Sequence, residues 1–167
     1  MESMAAKHVV NGYPDGKFKP NEKVTRAEFV KCIVKALELD LVKYNNEFKD
    51  VADSAWYADY VATAKAAGLV NGYPDGTFKP NQEITILEMA SLLSKLVKDV
   101  DVKDTEIEDI LRVYIDEREI PKWGRAYVAR VSKAELMIGN KNNKFVPNGK
   151  TTRAEAATAI YRLYDKY

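Results

Sequence analysis

The feature that most constrains the fold of this chain is a segment that occurs twice with almost the same sequence. Residues 10–21 are "VNGYPDGKFKPN" and residues 70–81 are "VNGYPDGTFKPN". The two copies differ only at Lys17 and Thr77. Loops rich in Gly, Pro, Asn and Asp lie at the surface and tolerate substitution. Two near-identical copies therefore indicate an internal repeat of about sixty residues.

A third copy of this segment is recognisable, although it has diverged. Residues 137–150, "MIGNKNNKFVPNGK", align without a gap on residues 70–83 and keep Phe145 at the place of Phe78. A helical pattern follows every copy: "VTRAEFVKCIVKAL" from Val24, "ITILEMASLLSKLV" from Ile84 and "TTRAEAATAIYRLY" from Thr151. We therefore predict three repeats, residues 1–44, 45–104 and 105–167, which together form one structural unit.

Another helix is predicted ahead of the loop in repeats 2 and 3. Residues 48–70, "FKDVADSAWYADYVATAKAAGLV", match residues 114–137, "YIDEREIPKWGRAYVARVSKAELM", and align Trp56 with Trp123. In repeat 2 this helix is expected to start at Asp53 or Ser54 and to end at Gly68. Each repeat is thus a helix, a loop and a helix, and the expected fold class is all-α.

Two features break the symmetry of the repeats. Shifting the Trp56 helix back by sixty residues passes Met1, so repeat 1 holds only the tail "AAKHVV" of its first helix. We expect a fragment boundary here, with an uncovered apolar surface suited to self-association. The connector after Val97, "KDVDVKDTEIEDILRV", adds six residues, and its apolar spacing predicts an added short helical turn.

The helix that follows each loop opens with a capping signal. A Thr and a Glu three residues later can satisfy two backbone amides reciprocally at a helix start. Capping explains these residues more directly than ligand contact does. The pairs are Thr25 with Glu28, Thr85 with Glu88, and Thr152 with Glu155.

An arginine follows the capping Thr in two of the three repeats. Arg26 and Arg153 hold this position, whereas repeat 2 has Ile86. A cation in the first turn opposes the helix macrodipole by about 0.3–1 kcal/mol. The arginine therefore needs a compensating partner, which is either a carboxylate such as Asp50 or Asp116 or the anionic group of a ligand.

Composition excludes several classes of function. The 167-residue chain carries a net charge of +1 with both signs interspersed, which argues against nucleic-acid binding. No apolar run is long enough for membrane insertion, and the opening "MESMAAKHVV" is not a signal peptide, so we expect any export signal to have been removed or to lie upstream. One cysteine and one histidine exclude disulfide frameworks, Cys/His zinc sites and His-based triads. Cys32 aligns with Leu92 and Ala159, which predicts a buried, inert thiol.

A calcium site is suggested by the loop of repeat 2, where Asn71, Asp75 and Gly76 partly match the helix-loop-helix calcium pattern. The match fails at its third position, which is Tyr73, and at its twelfth, where Gln82 replaces the required Glu. No metal and no cofactor is therefore predicted.

Several separate motifs recur in the same order along the chain: "FKDV" from Phe48, "WYA" from Trp56, "NGYPDG" in the loops and "TRAE" at the helix starts. With them the sequence resembles the S-layer homology (SLH) domain, as three tandem repeats over nearly the whole chain. The resemblance implies one pseudo-threefold, spindle-like domain with grooves between repeats. It also implies a noncatalytic module that tethers surface-layer proteins and exoenzymes to secondary cell-wall polysaccharide, often pyruvylated, outside cells with a Gram-positive-type envelope.

A pyruvylated sugar presents a carboxylate, several hydroxyls and an apolar ring face. A site for it calls for an arginine, nearby amides and short polar groups, and an aromatic ring, and a helix start also favours an anion. Candidate ligand-binding residues are Arg26, Arg153, Trp56, Trp123, Asp50, Asp116, Gly12, Tyr13, Asp15, Gly72, Tyr73 and Asp75.

Structural roles are the alternatives for many of these candidates. The two Trp side chains fit a core as well as a groove wall, and the Tyr and Asp of the loops fit turn formation. In repeat 3, Asn140 and Asn142 replace that Tyr and Asp, which weakens the case for a similar site there.

Two other functions remain open from the sequence. A structural self-assembly module of a surface layer would oligomerise through the incomplete repeat 1. A glycan-processing enzyme would need two opposed carboxylates in a cleft, and the suggestive sets are Asp50 with Glu28 and Asp116 with Glu155.

Overall fold

A computed structural model describes residues 16–166 of the chain. The candidates Gly12, Tyr13 and Asp15 and the incomplete first helix of repeat 1 lie outside the described residues. The elements are α1 Arg26–Ala36, α2 Ala58–Ala66, α3 Ile86–Ser94, α4 Asp104–Leu111, a 3-10 helix Glu117–Glu119, α5 Lys122–Lys133 and α6 Arg153–Lys166.

Hydrogen bonds of the β type within the described range are confined to isolated antiparallel bridges. They join Lys23 to Thr152, Thr25 to Glu83, and Thr85 to Lys150. Residues 16–166 contain no strands, so the predicted all-α class is confirmed.

The described chain divides into two compact units. Unit 1 comprises residues 16–84 with Thr152–Tyr161, and unit 2 comprises Thr85–Thr151 with the following residues of α6. Each unit has its own apolar core, and Phe29 and Phe78 in unit 1 and Leu93 and Val128 in unit 2 are fully buried. Helix α2 packs on α1 in unit 1, whereas α5 packs on both α3 and α4 in unit 2.

The helices that follow the loops start as the capping pattern predicts. The Thr25 hydroxyl accepts a hydrogen bond from the Glu28 amide at 3.2 Å, and the Glu28 carboxylate accepts one from the Thr25 amide at 2.8 Å. The same reciprocal pair forms at the start of α3, and at the start of α6 the distances are 3.2 Å and 2.7 Å. Each Thr–Glu pair therefore satisfies two amides that the helix leaves without a partner.

Helix α2 starts later than the sequence suggests. The predicted start at Asp53 or Ser54 is wrong, because residues 52–58 form successive i to i+3 turns before the helix begins at Ala58. The predicted end is correct. Gly68 has a φ of +73°, its amide donates to the Lys65 carbonyl at 2.9 Å, and the next amide donates to the Ala64 carbonyl. This pair of bonds is a Schellman ending, which favours glycine.

The insertion between repeats 2 and 3 forms a helix of its own. The predicted short helical turn is the two-turn helix α4. Arg125 on α5 holds it, since its Nε donates to Glu108 at 2.9 Å and a second guanidinium nitrogen donates to the Glu117 backbone carbonyl at 3.0 Å. Lys133 adds a bond to Glu106 at 3.2 Å. Charged contacts and the fully buried Leu111 at the end of α4 thus dock the insertion on its unit.

Candidate functional site

The loop of repeat 2 is held by its own side chains. Tyr73 donates its amide to the Thr77 carbonyl at 2.8 Å, and the Asp75 carboxylate accepts from the Thr77 hydroxyl at 2.6 Å and the Thr77 amide at 3.0 Å. These two bonds, with the hydroxyl the larger effect, lower the pKa of Asp75 below its ordinary range. Gly76 supplies the left-handed residue of the turn at a φ of +81°. Asp75 therefore has a turn-forming role.

Packing against the preceding segment explains why a glycine occurs in the loop. A Cβ on Gly72 would lie 2.3 Å from the Phe48 ring and 2.7 Å from the Thr77 carbonyl oxygen. Gly139 in repeat 3 has the same constraint, because a Cβ there would lie 2.7 Å from the Tyr114 ring. Both contacts are shorter than real Cβ atoms allow, so packing alone requires glycine at these two positions, whether or not the loop binds a ligand.

The residue before the last proline of the loop has an unusual backbone conformation in repeats 2 and 3. Lys79 has a φ of +56° and Val146 a φ of +58°, a region that costs L-residues energy and that β-branched side chains rarely adopt. An aspartate carboxylate holds each turn by accepting two backbone amides. Asp50 accepts from the Phe78 and Lys79 amides, both at 2.7 Å, and Asp116 accepts from Phe145 and Val146, both at 2.8 Å.

The start of α1 lies against the loop of repeat 2, and both belong to unit 1. The Arg26 and Ala27 amides donate to the Gln82 and Pro80 carbonyls at 2.9 and 3.0 Å. The Arg26 Nε donates to the Phe78 carbonyl at 2.9 Å. The compensating partner of Arg26 therefore includes a backbone carbonyl and not only the carboxylate or ligand anion expected from the sequence.

Two cations lie around one aromatic ring in this region. The Arg26 guanidinium carbon is 4.8 Å from the centre of the Tyr73 ring, and the Lys79 ammonium is 4.1 Å from the same ring. Arg26 also lies 4.9 Å from the Phe78 ring. We refer to Arg26, Tyr73, Phe78 and Lys79 as the Arg26 cluster. Arg26, Tyr73 and Lys79 are partly exposed.

The start of α6 repeats this arrangement with the loop of repeat 1, also within unit 1. The Arg153 Nε donates to the Phe18 carbonyl at 2.9 Å, and its guanidinium carbon lies 5.1 Å from the Phe18 ring. Unit 2 keeps the backbone contacts but not the cation. There the Ile86 amide donates to the Gly149 carbonyl at 2.8 Å, and the Ile86 side chain offers no donor to the Phe145 carbonyl. The three helix starts are alike in backbone and differ in charge.

The two tryptophans are surface residues. Trp56 is 55% exposed and Trp123 is 59% exposed, so the alternative that placed them in the core is wrong. The Lys31 ammonium lies 5.2 Å from the Trp56 ring, and the Tyr57 ring meets Trp56 edge-on at 5.2 Å. An exposed indole beside a cation suits contact with the apolar face of a sugar.

A family comparison bears on this arrangement. The profile of the S-layer homology domain matches three segments of the chain, residues 1–30, 47–90 and 114–157. The chain belongs to the S-layer homology domain family. The matched segments contain each loop with the start of the following helix, and they leave out residues 91–113, where the SLH chain carries α4.

Relatives of the SLH chain include proteins with very different names. The amylopullulanase of Thermoanaerobacterium thermosulfurigenes is 36% identical over 99% of this chain and 9% of its own length. The cellulosome-anchoring protein of Acetivibrio thermocellus is 31% identical over 94% of this chain and 35% of its length. The surface-layer 125 kDa protein of Lysinibacillus sphaericus is 28% identical over 99% of this chain and 14% of its length. The chain thus spans about a third or less of each relative.

Carboxylates suggested for an enzyme have structural partners in the SLH chain. Glu28 and Glu155 accept the capping amides, and Asp50 and Asp116 accept amides of the turns. Among residues 16–166 there is no cluster of His, Cys, Asp and Glu that could hold a metal ion. No helix in that range is long and apolar enough to cross a membrane.

The predicted burial of Cys32, the single cysteine of the chain, is only partly correct, because the residue is half-buried on α1. Burial raises the pKa of Cys32 to about 11, against a smaller opposing effect of the Arg153 charge. The thiol is therefore protonated at neutral pH, as expected of an unreactive cysteine.

Sequence reasoning missed two cations of this region, Lys31 and Lys79. The signal for Lys79 was present, because "FKPN" is identical in repeats 1 and 2. Lys31 carried no such signal, since Ser91 and Thr158 occupy the corresponding positions of the other repeats.

Proposed function

We propose that this SLH chain is a noncatalytic module that binds secondary cell-wall polysaccharide and tethers the protein that contains it to the outside of a Gram-positive-type wall. Names of relatives support anchoring at the cell surface, since they include a cellulosome-anchoring protein and a surface-layer protein. Names of enzymes also occur among them, and the chain spans only 9% of the amylopullulanase. A region shared by enzymes and surface-layer proteins is better suited to attachment than to catalysis.

The Arg26 cluster is the observation that carries the proposal. A pyruvate ketal on a sugar provides a carboxylate, and the guanidinium and ammonium groups of Arg26 and Lys79 converge on one ring within 4.8 and 4.1 Å. The apolar face of the same sugar suits an exposed aromatic ring such as Trp56.

Arg153 marks a second site of the same kind in unit 1. Its contact with the Phe18 carbonyl repeats the contact of Arg26 with Phe78 at the same 2.9 Å. The corresponding helix position in unit 2 has Ile86, so no guanidinium is offered to a carboxylate from there. We accordingly assign ketal binding to the two arginine sites and only weak binding to the Ile86 site.

Calorimetric titration tests this assignment. The probe is an N-acetylhexosamine methyl glycoside with a 4,6-pyruvate ketal, and the matched probe lacks the ketal. Arg26→Ala and Arg153→Ala should each weaken binding at their site by about ten- to a hundredfold, as for a lost charged hydrogen bond. Ile86→Ala is the matched control at the third helix start and should leave affinity unchanged.

Stability measurements accompany the titration because each arginine also donates to a backbone carbonyl. Losing that bond should lower the free energy of unfolding by about 0.5–1.5 kcal/mol, which leaves the variants folded. Normal ketal affinity in the Arg26/Arg153 double variant, or equal affinity for both probes in the wild type, would refute the assignment.

A wall-binding assay tests the wider proposal. Wall polysaccharide purified from Thermoanaerobacterium thermosulfurigenes, the source of the amylopullulanase relative, should capture the chain with and without a chelator. The polymer should keep its length on incubation. Shortening of the polymer would favour the enzyme alternative. Capture that requires calcium would refute binding without a metal ion.

A further inference from the structure

The Asp50 carboxylate and the Arg26 guanidinium hold opposite ends of one peptide group. The amide of Lys79 donates to Asp50 Oδ2 at 2.7 Å, and the carbonyl of Phe78 accepts from Arg26 Nε at 2.9 Å. These amide and carbonyl groups belong to the same planar peptide unit, so they point in opposite directions. The direction of one therefore dictates the direction of the other.

This peptide unit is not in a conformation that the chain adopts by default. Lys79 has a φ of +56°, which an L-residue avoids unless its surroundings impose it. Asp50 provides that constraint, because its second oxygen also accepts the Phe78 amide at 2.7 Å. Two short charge-assisted bonds from one carboxylate thus fix the turn.

We propose that Asp50 is a positioning residue for the anion site, which acts by orienting the Phe78 carbonyl toward Arg26 and does not contact the ligand. Donation of the Lys79 amide to a carboxylate also polarises the peptide group and makes the carbonyl a better acceptor for the guanidinium. The expected effect on affinity rests on the proposed function. The orientation of the Phe78 carbonyl toward Arg26 does not depend on any ligand.

Unit 2 contains the matched control. Asp116 makes the same two bonds at 2.8 Å to a turn in which Val146 has a φ of +58°. At the helix start that faces this turn stands Ile86, so there is no guanidinium for the carboxylate to position. Asp116→Asn should therefore cost stability as Asp50→Asn does, without the effect on an arginine.

The first measurement is hydrogen exchange of the arginine Nε–H by NMR. Asn keeps one acceptor and directs a donor at the other amide, so Asp50→Asn should release the Phe78–Lys79 peptide group. Exchange at Arg26 Nε–H should then accelerate by about tenfold or more. Arg153 Nε–H, held by Phe18, should be unchanged in the same sample, and Asp116→Asn should change neither arginine.

The second measurement is affinity for the ketal-bearing glycoside. Asp50→Asn should weaken binding by about five- to tenfold, less than removal of Arg26, because the cation stays but is no longer held in place. Asp116→Asn should bind normally despite a similar fall in melting temperature. That difference separates positioning from a general loss of stability.

A rescue variant distinguishes positioning from direct contact. Glycine adopts a positive φ without strain, so in a Lys79→Gly background the turn no longer depends on Asp50. Lys79→Gly itself removes one of the two cations of the Arg26 cluster, so affinities are compared within that background. Adding Asp50→Asn to that background should cost less affinity than it does in the wild type. If Asp50→Asn alone folds poorly, the effect of this substitution can still be measured in the Lys79→Gly background, where the turn is not strained.

Faster Arg26 exchange in Asp50→Asn with unchanged affinity would overturn the role of Asp50 in binding. Weaker binding by Asp50→Asn with unchanged Arg26 exchange would show direct ligand contact and overturn positioning. An unchanged Arg26 exchange rate overturns it whatever the affinity. Failure of the wild type to bind the glycoside would refute the proposed function, while the exchange rates would still confirm or refute the positioning of Arg26.

Discussion

A buried hydroxyl in repeat 3 gives a sharp test of how the repeats are built. Thr151 is completely buried, and its Oγ1 has no hydrogen-bond partner among residues 16–166. The equivalent positions of repeats 1 and 2 hold Val24 and Ile84, which are 5% and 2% exposed. The other repeats thus place an aliphatic side chain where repeat 3 buries a hydroxyl.

Thr151→Val should stabilise the chain. An unsatisfied buried hydroxyl costs about 1–3 kcal/mol, and valine has nearly the same shape, so neither a cavity nor overpacking offsets the gain. We expect the free energy of unfolding to rise by about 1–2 kcal/mol. For a chain of 167 residues this corresponds to an increase of about 2–8 °C in the melting temperature.

Urea denaturation and calorimetry of Thr151→Val measure this gain. Thr152→Val is the adjacent control, because it removes the hydroxyl that caps α6 and should lower stability by about 1 kcal/mol. Equal or lower stability of Thr151→Val, with the expected loss in Thr152→Val, would show that the hydroxyl finds a partner or that the site needs it. The argument from unsatisfied burial would then be wrong.

Further predictions concern packing, backbone and charge. Gly124→Ala should lower stability by about 1–2 kcal/mol in denaturant titrations, because its Cβ would lie 2.7 Å from the buried Leu87 side chain. Gly68→Ala has free space for its Cβ but a φ of +73°, so it should cost about 1 kcal/mol through strain alone. Arg125 holds the pKa of Glu108 below its ordinary 4.5, so this pair stabilises the fold above that pH and the contribution is lost as pH falls through the lowered pKa. Glu108→Gln should therefore make the melting temperature less sensitive to acid below pH 4.5, and an unchanged profile would contradict this.

The sequence predicted the elements of this structure better than their contacts. Repetition revealed the loops, the Thr–Glu pairs predicted the helix starts, and Gly68 marked a helix end, because each of these depends on local backbone chemistry. The partner of Arg26 could not be predicted in the same way. The Phe78 carbonyl is a backbone group 52 residues away, and no side-chain pattern identifies it.

The sequence also could not predict the roles of residues that fit two environments equally well. A large aromatic side chain at helical spacing fits a core or a surface equally well, and only the structure places Trp56 outside. Asp50 was visible as a recurrent acid in repeats 2 and 3, but its link to the Lys79 amide spans 29 residues. Long-range hydrogen bonds of this kind depend on the packing of whole repeats.

The bond between Arg153 and the Phe18 carbonyl joins residues 135 positions apart, and this bears on how the chain matures. Unit 1 needs Thr152–Tyr161 to be complete, so its final contacts wait while all of repeat 2 and most of repeat 3 are synthesised. At about 5–20 residues per second that interval is about 7–30 s. Because the residues that complete unit 1 come last in the sequence, unit 1 cannot finish folding while the chain is still emerging from the ribosome. A stop codon anywhere before Arg153 would leave the loop of repeat 1 without the helix that contacts it. Ribosome-bound chains halted before and after α6 should therefore differ sharply in protease resistance around α1, although the residues of α1 are present in both.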